Sequence, residues 1–470
     1  MSSQVQEIQL AEVDGTTPLS IAESREEPKS FLQYRKNAFK AYQSLPVDRD
    51  TLFYKYTKFT GLDFTQLRPS IPSLKSTPIP AEIKQRLDIL KRDTSALIIE
   101  TSAGVKNVYL SKAALDGGII LTELKEAIKN SYETVSPLLN KRLYGKHDDK
   151  LAALNGALAT NRTLLYVPKN VILENPIRRL VIHDAPSAGM FSELLIYTES
   201  NSSISLIEEL YSDQIVKTPH LLSLVEEVHV GANAQVKMGQ LQNLALSAGL
   251  FVSRRVGFKP SGKFESLCHL QGSAFTRMSN ELFLSGSGCD AHDLYTMHGT
   301  ERQRFDIKSQ LTHQAESTIG ATNARCIMRD RAESTLRGLI HIEAKGKNAD
   351  SWLKAEGLLQ DKGQFNAVPA LAIDNNEVRA AHAATVSQVD EEQIFYLLSR
   401  GIPESRARRL VLLSYLEPIL SKFGEKRISH LIRQAALEKW HQERAYGWQF
   451  KGLPQSKDLE TYGAFYSIDE

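Results

Sequence analysis

Three copies of one pentapeptide indicate the fold: Gln314-Ala315-Glu316-Ser317-Thr318, Arg331-Ala332-Glu333-Ser334-Thr335 and a weaker copy, Asn348-Ala349-Asp350-Ser351-Trp352. The copies follow one another at a spacing of 17 residues, and an aliphatic residue follows each directly: Ile319, Leu336 and Leu353. A fixed short period with strand-like segments is typical of a β-solenoid, in which each coil stacks on its neighbours. An antiparallel sandwich with two similar hairpins is the alternative interpretation.

Short strand-like runs continue on both sides of the repeat, from about Arg162 to Thr385. Examples are Leu164–Val167, Leu180–Ile182, Leu194–Tyr197 and Val236–Met238, and turn-forming clusters separate them. Such spacing predicts one long all-β unit over 161–385. The Gly-containing hexapeptides of left-handed β-helices do not occur in the sequence, which favours a right-handed or irregular coil.

Helices are predicted before this β unit. Segment 1–30 is polar and acidic and is predicted to be a flexible tail. Aromatic residues at helical spacing, Phe31, Tyr34, Phe39 and Tyr42, begin a mainly helical N-terminal domain with a small β element over 31–160. Within it, 121–128 and 150–159 are further predicted helices.

Helices are also predicted after the β unit. Asp390 and Gln393 form a capping-box pattern at the start of an apolar helical stretch, and Gly401 follows its end. The residues from 386 to 470 are therefore a predicted C-terminal helical domain. We expect this domain to cap the open end of the solenoid, because a solenoid otherwise exposes unpaired strand edges.

Composition excludes several classes of protein. Lys and Arg number 57 and Asp and Glu number 55, so the net charge of +2 gives no reason to expect a nucleic-acid or membrane-surface protein. No apolar run is long enough to span a membrane, and no export signal is visible. The cysteines, Cys268, Cys289 and Cys326, are widely spaced and lack a CxxC pair, which favours a reducing, cytoplasmic location. They are predicted to be small buried hydrophobic residues.

Sequence motifs for catalysis are missing, and one histidine is conspicuous. The chain contains no P-loop, HExxH, GxSxG or strand-linked GxGxxG pattern, so no nucleotide site or enzyme class is indicated. His382 lies within Ala380-Ala381-His382-Ala383-Ala384-Thr385, where small neighbours leave its imidazole accessible. A neutral, accessible imidazole is a suitable ligand for iron. The alternative is a histidine that fills a domain junction.

Several motifs together resemble the SufB/SufD family of iron–sulfur cluster assembly proteins. The stretch from Pro369 to Thr385 is similar to the family's P-x-L-E-I…V-x-C-S-H-G-A-T pattern, and 390–402 to its D-E-x-x-x-F-Y-L-x-S-R-G-I pattern. Leu154-Asn155-Gly156-Ala157 and Tyr166-Val167-Pro168-Lys169 resemble the family's entry into the β-helix. The resemblance covers about 151–420, and extends weakly to Tyr54-Lys55-Tyr56-Thr57.

The resemblance implies a fold and an assembly. The family has a right-handed parallel β-helix between helical domains and works as a complex of SufB, SufC and SufD, in which SufC is the ATPase. This chain would then be a non-catalytic scaffold subunit that pairs with a SufB-like subunit and binds a SufC-like ATPase. It would bind neither nucleotide nor nucleic acid and would not enter a membrane, although a homodimer is possible.

The resemblance also implies a subtype and a site. Ala355 stands near the place of the SufB cysteine and Ala383 at that of a SufB glutamate, so the chain is SufD-like. Ala380 and Ala372 replace the cysteine and glutamate usual in SufD. His382 is left as the candidate metal ligand at the interface where a nascent cluster forms. Because one imidazole cannot hold a cluster, the cluster would be transient and shared with a partner chain.

Two further expectations concern contacts. SufC would dock near Tyr396, Arg400 and Gly401, for which packing at the helix end is the alternative reading, and the partner subunit would pair by edge augmentation near His382. Two other functions stay possible: a carbohydrate-active β-helix enzyme, with Glu316, Glu333 and Asp350 stacked in a line of carboxylates, or a purely structural β-solenoid oligomer.

Overall fold

A computed structural model of the chain describes residues 10, 13–46, 65, 67–70, 90–139, 141–144, 149–185, 187–212 and 217–441. The motif at 54–57 and the tail at 458–470 lie outside these residues. Secondary-structure elements are numbered below in chain order, β1–β20 and α1–α9, over the described residues.

The core of the molecule is a parallel β-helix whose coils each contribute one strand to each of two sheets. We call them sheet A and sheet B. Sheet A runs in the order β19-β17-β15-β13-β11-β9-β7-β5-β4, and β1 pairs with β7. Its strands are β1 (Arg68–Pro69), β4 (Ile120–Glu123), β5 (Asn161–Val167), β7 (Ala188–Thr198), β9 (His220–Val230), β11 (Ala248–Phe258), β13 (Phe275–Leu284), β15 (Arg304–His313), β17 (Glu333–Ile342) and β19 (Gln364–Ile373).

Sheet B runs in the order β20-β18-β16-β14-β12-β10-β8-β6-β2-β3. Its strands are β2 (Ala96–Thr101), β3 (Gly104–Leu110), β6 (Ile177–His183), β8 (Ser203–Ser212), β10 (Gln235–Asn243), β12 (Lys263–Leu270), β14 (Asp290–Gly299), β16 (Ile319–Met328), β18 (Asp350–Leu359) and β20 (Arg379–Gln388). Among the described strands, only the pairs β2–β3 and β4–β5 are antiparallel. The predicted parallel β-helix is confirmed, and the antiparallel sandwich is excluded.

The predicted period of 17 residues is wrong as a coil length. Residues paired in adjacent coils are separated by 26 positions, as in Gly249 and Phe275, up to 32, as in Gly189 and Leu221. Of the repeated serines, Ser317 has φ 57° at a corner, whereas the other two copies place theirs in β17 and β18. Successive copies of the repeat therefore lead into strands of opposite sheets, so the spacing of 17 residues corresponds to about half a coil. A sequence period by itself cannot distinguish half a coil from a whole one.

Aliphatic columns fill the lumen, the space between the two sheets. Lumen-facing residues of sheet A stack in register from coil to coil, as in the column Leu224, Val252, Met278, Ile307 and Leu336. All five side chains are buried. Since full burial of such a side chain contributes about 1.5–3 kcal/mol, the stacked columns stabilise the β-helix substantially.

Helices of the N-terminal part cover the outer face of sheet A. They are α1 (Thr17–Ser24), α2 (Lys29–Ser44), α4 (Leu124–Asn130), α5 (Tyr132–Leu139) and α6 (Lys150–Leu158), whereas α3 (Lys112–Asp116) packs its Ala114 against lumen residues such as Ile119 and Leu121. Asn155 of α6 donates to the carbonyl oxygens of Ser192 and Ser223, which fastens this helix to β7 and β9. Helix α1 lies inside segment 1–30 with Ile21 buried, so this part of the predicted tail is ordered and packed.

The C-terminal helices are α7 (Glu391–Ser399), α8 (Glu404–Phe423) and α9 (Lys426–His441). The expectation that they cap the open end of the solenoid is wrong. Leu416, Phe423 and Ile432 pack with Leu267 and Leu294 on the outer face of sheet B. This side position follows from apolar side chains on the outer face of sheet B, which need a cover of their own. Among the described helices, none has both the length and the apolar character to cross a membrane.

The two ends of the β-helix differ. At the N-terminal end, the antiparallel strands β3 and β4 close sheet B and sheet A. At the other end, β19 and β20 are the last strands of their sheets, and no described residue pairs with their outer edges. The side placement of the C-terminal helices therefore leaves this end of the lumen without a cover among the described residues, and we call it the open end.

Candidate functional site

His382 lies on β20, at the open end. It pairs with Leu353 of β18, and Ala384 pairs with Ala355. Leu353 and Ala355 belong to the lumen core. Because residues paired in register share a face of the sheet, His382 faces the mouth of the lumen. Its side chain is exposed, since no described coil stacks above it.

Apolar residues of the last coil surround this mouth. Leu371 and Ile373 of β19 pair with lumen-facing Ile340 and Ile342, yet remain 39% and 43% exposed. Val386 of β20 is 51% exposed. The apolar columns that are buried in the earlier coils thus end in partly exposed side chains in the last coil. An exposed apolar patch beside unpaired backbone edges is a typical strand-pairing surface.

Charged residues border the mouth next to the first residues of β18 and β20. Arg379 Nη2 lies 2.8 Å from Asp350 Oδ2, and Lys347 Nζ lies 2.9 Å from Glu377 Oε2. All four side chains are more than two-fifths exposed. An apolar centre with a polar, solvated rim is the usual anatomy of a protein–protein interface.

The described residues supply no complete metal site at the mouth. Alanines flank His382 on its strand, and no group of three His, Cys, Asp or Glu side chains in the described part could hold a metal ion. The cysteines are buried within the β-helix. Burial raises the pKa of the Cys268 thiol to about 12 and that of Cys326 well above its usual value, so neither favours the thiolate form.

The predicted line of carboxylates does not form. Glu333 belongs to sheet A and pairs with Arg304, whereas Asp350 belongs to sheet B and pairs with Ile319. Their carboxylates are bound in separate ion pairs, Glu333 with Arg304 at 3.3 Å and Asp350 with Arg379. The repeat alternates between the sheets, and this separates the acids that a glycosidase-like site would have to bring together.

The second group of predicted residues lies on α7. Asp390 caps this helix, because its side chain accepts hydrogen bonds from the amides of Glu392 and Gln393. Tyr396 is 56% exposed, and the Arg400 guanidinium lies 5.2 Å from the centre of its ring. Gly401 has φ 81°, a left-handed conformation that suits glycine after a helix end. These three residues therefore lie together at the exposed end of α7.

Phe395, which precedes Tyr396 on the same helix, is 71% exposed. Ile394 is the only residue of the helix that is buried. Arg408 of α8 holds the helix in place by contacting both carboxylate oxygens of Glu391 at 3.0 Å. The apolar pattern of α7 was visible in the sequence, but the absence of a described surface to cover it was not.

Comparison with known proteins agrees with this architecture. A family model described as "SUF system FeS cluster assembly, SufBD core domain" matches residues 181–415, and one described as "SufBD protein N-terminal region" matches residues 22–179. The chain belongs to this SufBD family of iron–sulfur cluster assembly proteins.

Curated relatives narrow the assignment to a SufD-like member. The chain is 28% identical over 409 residues to the iron–sulfur cluster assembly protein SufD of Bacillus subtilis, covering 86% of this chain and 92% of the relative. It is 26% identical over 442 residues to a SufBD family protein of Staphylococcus saprophyticus, covering 91% of this chain and 92% of that protein.

Proposed function

We propose that the chain is a non-catalytic scaffold subunit of the SUF machinery, which pairs with a SufB-like subunit and binds a SufC-like ATPase in the cytoplasm. The observation that carries this proposal is the open mouth of the β-helix, where apolar columns and two strand edges end without a cover among the described residues. A strand pair from another β-helix would continue both columns and edges.

In this proposal, His382 is a metal ligand at the interface with the partner chain. The imidazole faces the mouth, so a chain docked there would enclose it. Iron–sulfur clusters need about four ligands, mostly thiolates, and the flanking alanines supply none. The remaining ligands would come from the partner, and the cluster would be cargo held transiently between two chains.

The ATPase would dock on α7. Phe395 and Tyr396 present an apolar surface, Arg400 adds a charge at its edge, and Gly401 ends the helix. Exposed aromatic residues beside an arginine are enriched among the residues that dominate binding energy. The ion pair between Arg408 and Glu391 would transmit motion of the bound ATPase to α8.

The test is co-expression of the chain with a SufB-like subunit and a SufC-like ATPase, followed by anaerobic purification. We expect a stable complex that contains iron and sulfide. A chain that stays alone under these conditions would contradict the scaffold role, as would cleavage of polysaccharide by the purified chain. A homodimer that persists in the presence of the SufB-like subunit would show that the mouth pairs with a second copy instead.

A further inference from the structure

Two reciprocal contacts join the two sheets just below the mouth. Leu353 of sheet B packs so closely against Gly338 of sheet A that a Cβ atom on the glycine would lie 1.7 Å from Leu353 Cδ1. Phe365 of sheet A packs in the same way against Gly357 of sheet B, where an added Cβ atom would lie 2.5 Å from Phe365 Cδ1. Each large side chain thus occupies the space that a glycine of the opposite sheet leaves free.

Solvent exposure falls sharply between the mouth and these contacts. Leu353 and Phe365 are only 3% and 8% exposed. The residues that follow Leu353 and Gly357 in register on the last strand of sheet B are His382 and Val386, and both are exposed. The two contacts therefore mark the level at which the lumen becomes closed to solvent.

A polar network lies in the lumen below this level. The buried carboxylate of Asp293 accepts hydrogen bonds from four buried side chains, those of Ser266, Asn280, Tyr295 and Ser309. Thr322 continues the network, since its hydroxyl oxygen lies 2.9 Å from that of Ser309. Leu353 is the next residue in the column of Thr322, so the leucine separates this network from His382. Hydrogen bonds in such a network are strengthened by a low local dielectric, which entry of water would raise.

A thiol lies on the same strand as Thr322. Cys326 is fully buried, and Gly357 follows it in its column, so the next coil adds no side chain above the sulfur from that position. The ring of Phe365 packs against Gly357 and belongs to the same core cluster as Cys326. We therefore expect this ring to be the cover of the thiol on the side of the mouth.

We propose that Leu353 and Phe365 form an apolar seal that keeps water, iron and sulfide at the mouth out of the lumen. The seal gives the mouth a floor of side chains that carry no ligand atoms, whereas the carboxylate of Asp293 and the thiol of Cys326 lie below it. Carboxylates and thiolates both bind iron, so a leak would offer competing ligands to iron held at His382. This importance for a cluster rests on the proposed function, but the seal itself is a property of the isolated chain.

Thiol labelling of the native, full-length chain with iodoacetamide tests the seal. Cys326 is the reporter, and Cys268, which is buried two coils further from the mouth, is the internal reference. Peptide mapping by mass spectrometry gives the labelling rate of each thiol. In the unmodified chain we expect Cys326 to react no faster than Cys268. Phe365→Ala should raise the ratio of the two rates by about tenfold or more, because local opening exposes Cys326 alone, whereas global unfolding exposes both thiols.

Phe305→Ala is the matched control. Phe305 is buried in the same column as Phe365 but two coils deeper, with Ser334 between them. Loss of its ring creates a cavity below the seal, so the ratio of labelling rates should stay at the value of the unmodified chain. Phe365→Leu, which keeps a large apolar side chain at the seal, should also leave the ratio low.

Faster labelling of Cys326 than of Cys268 in the unmodified chain would overturn the proposal, and this comparison remains decisive even if Phe365→Ala does not fold. Equal ratios in Phe365→Ala and Phe305→Ala would overturn it as well. Failure of the scaffold role is a separate result, because it appears as a missing complex after co-expression and leaves the labelling pattern of the isolated chain unchanged.

Discussion

His382 occupies the position directly above Leu353, in the last register pair of sheet B. Leu353 is buried in the lumen, and His382 continues the same column into solvent. In this column, the last position of the β-helix is thus occupied by an imidazole instead of an aliphatic side chain. The imidazole is therefore exposed, whereas the leucine one coil earlier is buried.

The first prediction concerns this imidazole. His382→Ala should reduce the maturation of iron–sulfur proteins in cells several-fold while leaving the thermal stability of the chain unchanged, because the side chain is exposed at a sheet edge. Activity of an iron–sulfur enzyme in the complemented strain is the measurement. His341→Ala is the control, since His341 is half-buried one coil earlier and pairs with Asp374. Equal loss in both variants would argue against a ligand role.

The second prediction concerns the apolar mouth. Leu371→Asp/Ile373→Asp should weaken pairing with the SufB-like subunit by about 100-fold or more, because an unpaired carboxylate buried in an interface costs roughly 3 kcal/mol or more. Co-purification and analytical ultracentrifugation measure this loss. Ile172→Asp is the matched control, because Ile172 is 69% exposed and lies between β5 and β6, far from β19 and β20 in the stack of coils. If the double variant still pairs with the SufB-like subunit, the mouth is not the surface that binds this subunit.

The third prediction concerns α7. Phe395→Ser should lower affinity for the SufC-like ATPase by roughly 30-fold, the effect expected for loss of an aromatic residue that contributes about 2 kcal/mol. Surface plasmon resonance with the immobilised ATPase is the measurement. Leu115→Ser, which removes a 58% exposed apolar side chain from α3, should have no effect. Similar losses of affinity in both variants would contradict a specific contact between Phe395 and the ATPase.

The fourth prediction concerns pH. Glu208 and Glu226 face Arg179 and Arg254 inside the lumen. Burial, together with the neighbouring Glu226 carboxylate, raises the pKa of Glu208 to about 7. In the unfolded chain this carboxyl has its ordinary pKa of 4.5. Between these values the folded state holds a proton that the unfolded state has lost, so stability falls as pH rises from about 4.5 to about 7.

Urea denaturation at several pH values checks the contribution of this group. Glu208→Gln cannot ionise, so the fall in stability between pH 5 and pH 7 should be smaller than in the unmodified chain. Glu265→Gln is the control, because that carboxylate lies on the outer face near Lys237 and is partly exposed. An unchanged pH slope in Glu208→Gln would mean that Glu208 is ionised in the folded state.

The fifth prediction concerns core packing. A Cβ atom on Gly338 would lie 1.7 Å from Leu353 Cδ1, so Gly338→Ala forces the lumen to rearrange. Such overpacking costs about 1–3 kcal/mol of unfolding free energy. Gly15→Ala is the control, because no atom lies within 4 Å of its added Cβ. Equal denaturation midpoints for the two variants would contradict this packing.

Much of the architecture follows from local sequence. Helix α2 forms over Lys29–Ser44 as its aromatic spacing predicted, and α6 forms over Lys150–Leu158 as expected. The predicted helix at 121–128 is instead β4 followed by α4. Its first residues pair with β5, and this long-range pairing overrides the local helical pattern.

The residue pattern by itself determined that short strands stack between two sets of helices, because turn residues and apolar alternation act over a few positions. It also indicated His382 and the end of α7. Tertiary structure alone decided the coil length, the placement of the C-terminal helices beside sheet B, and the open mouth. These features depend on which distant strands pair and which apolar faces meet, and those contacts join residues that local patterns cannot relate.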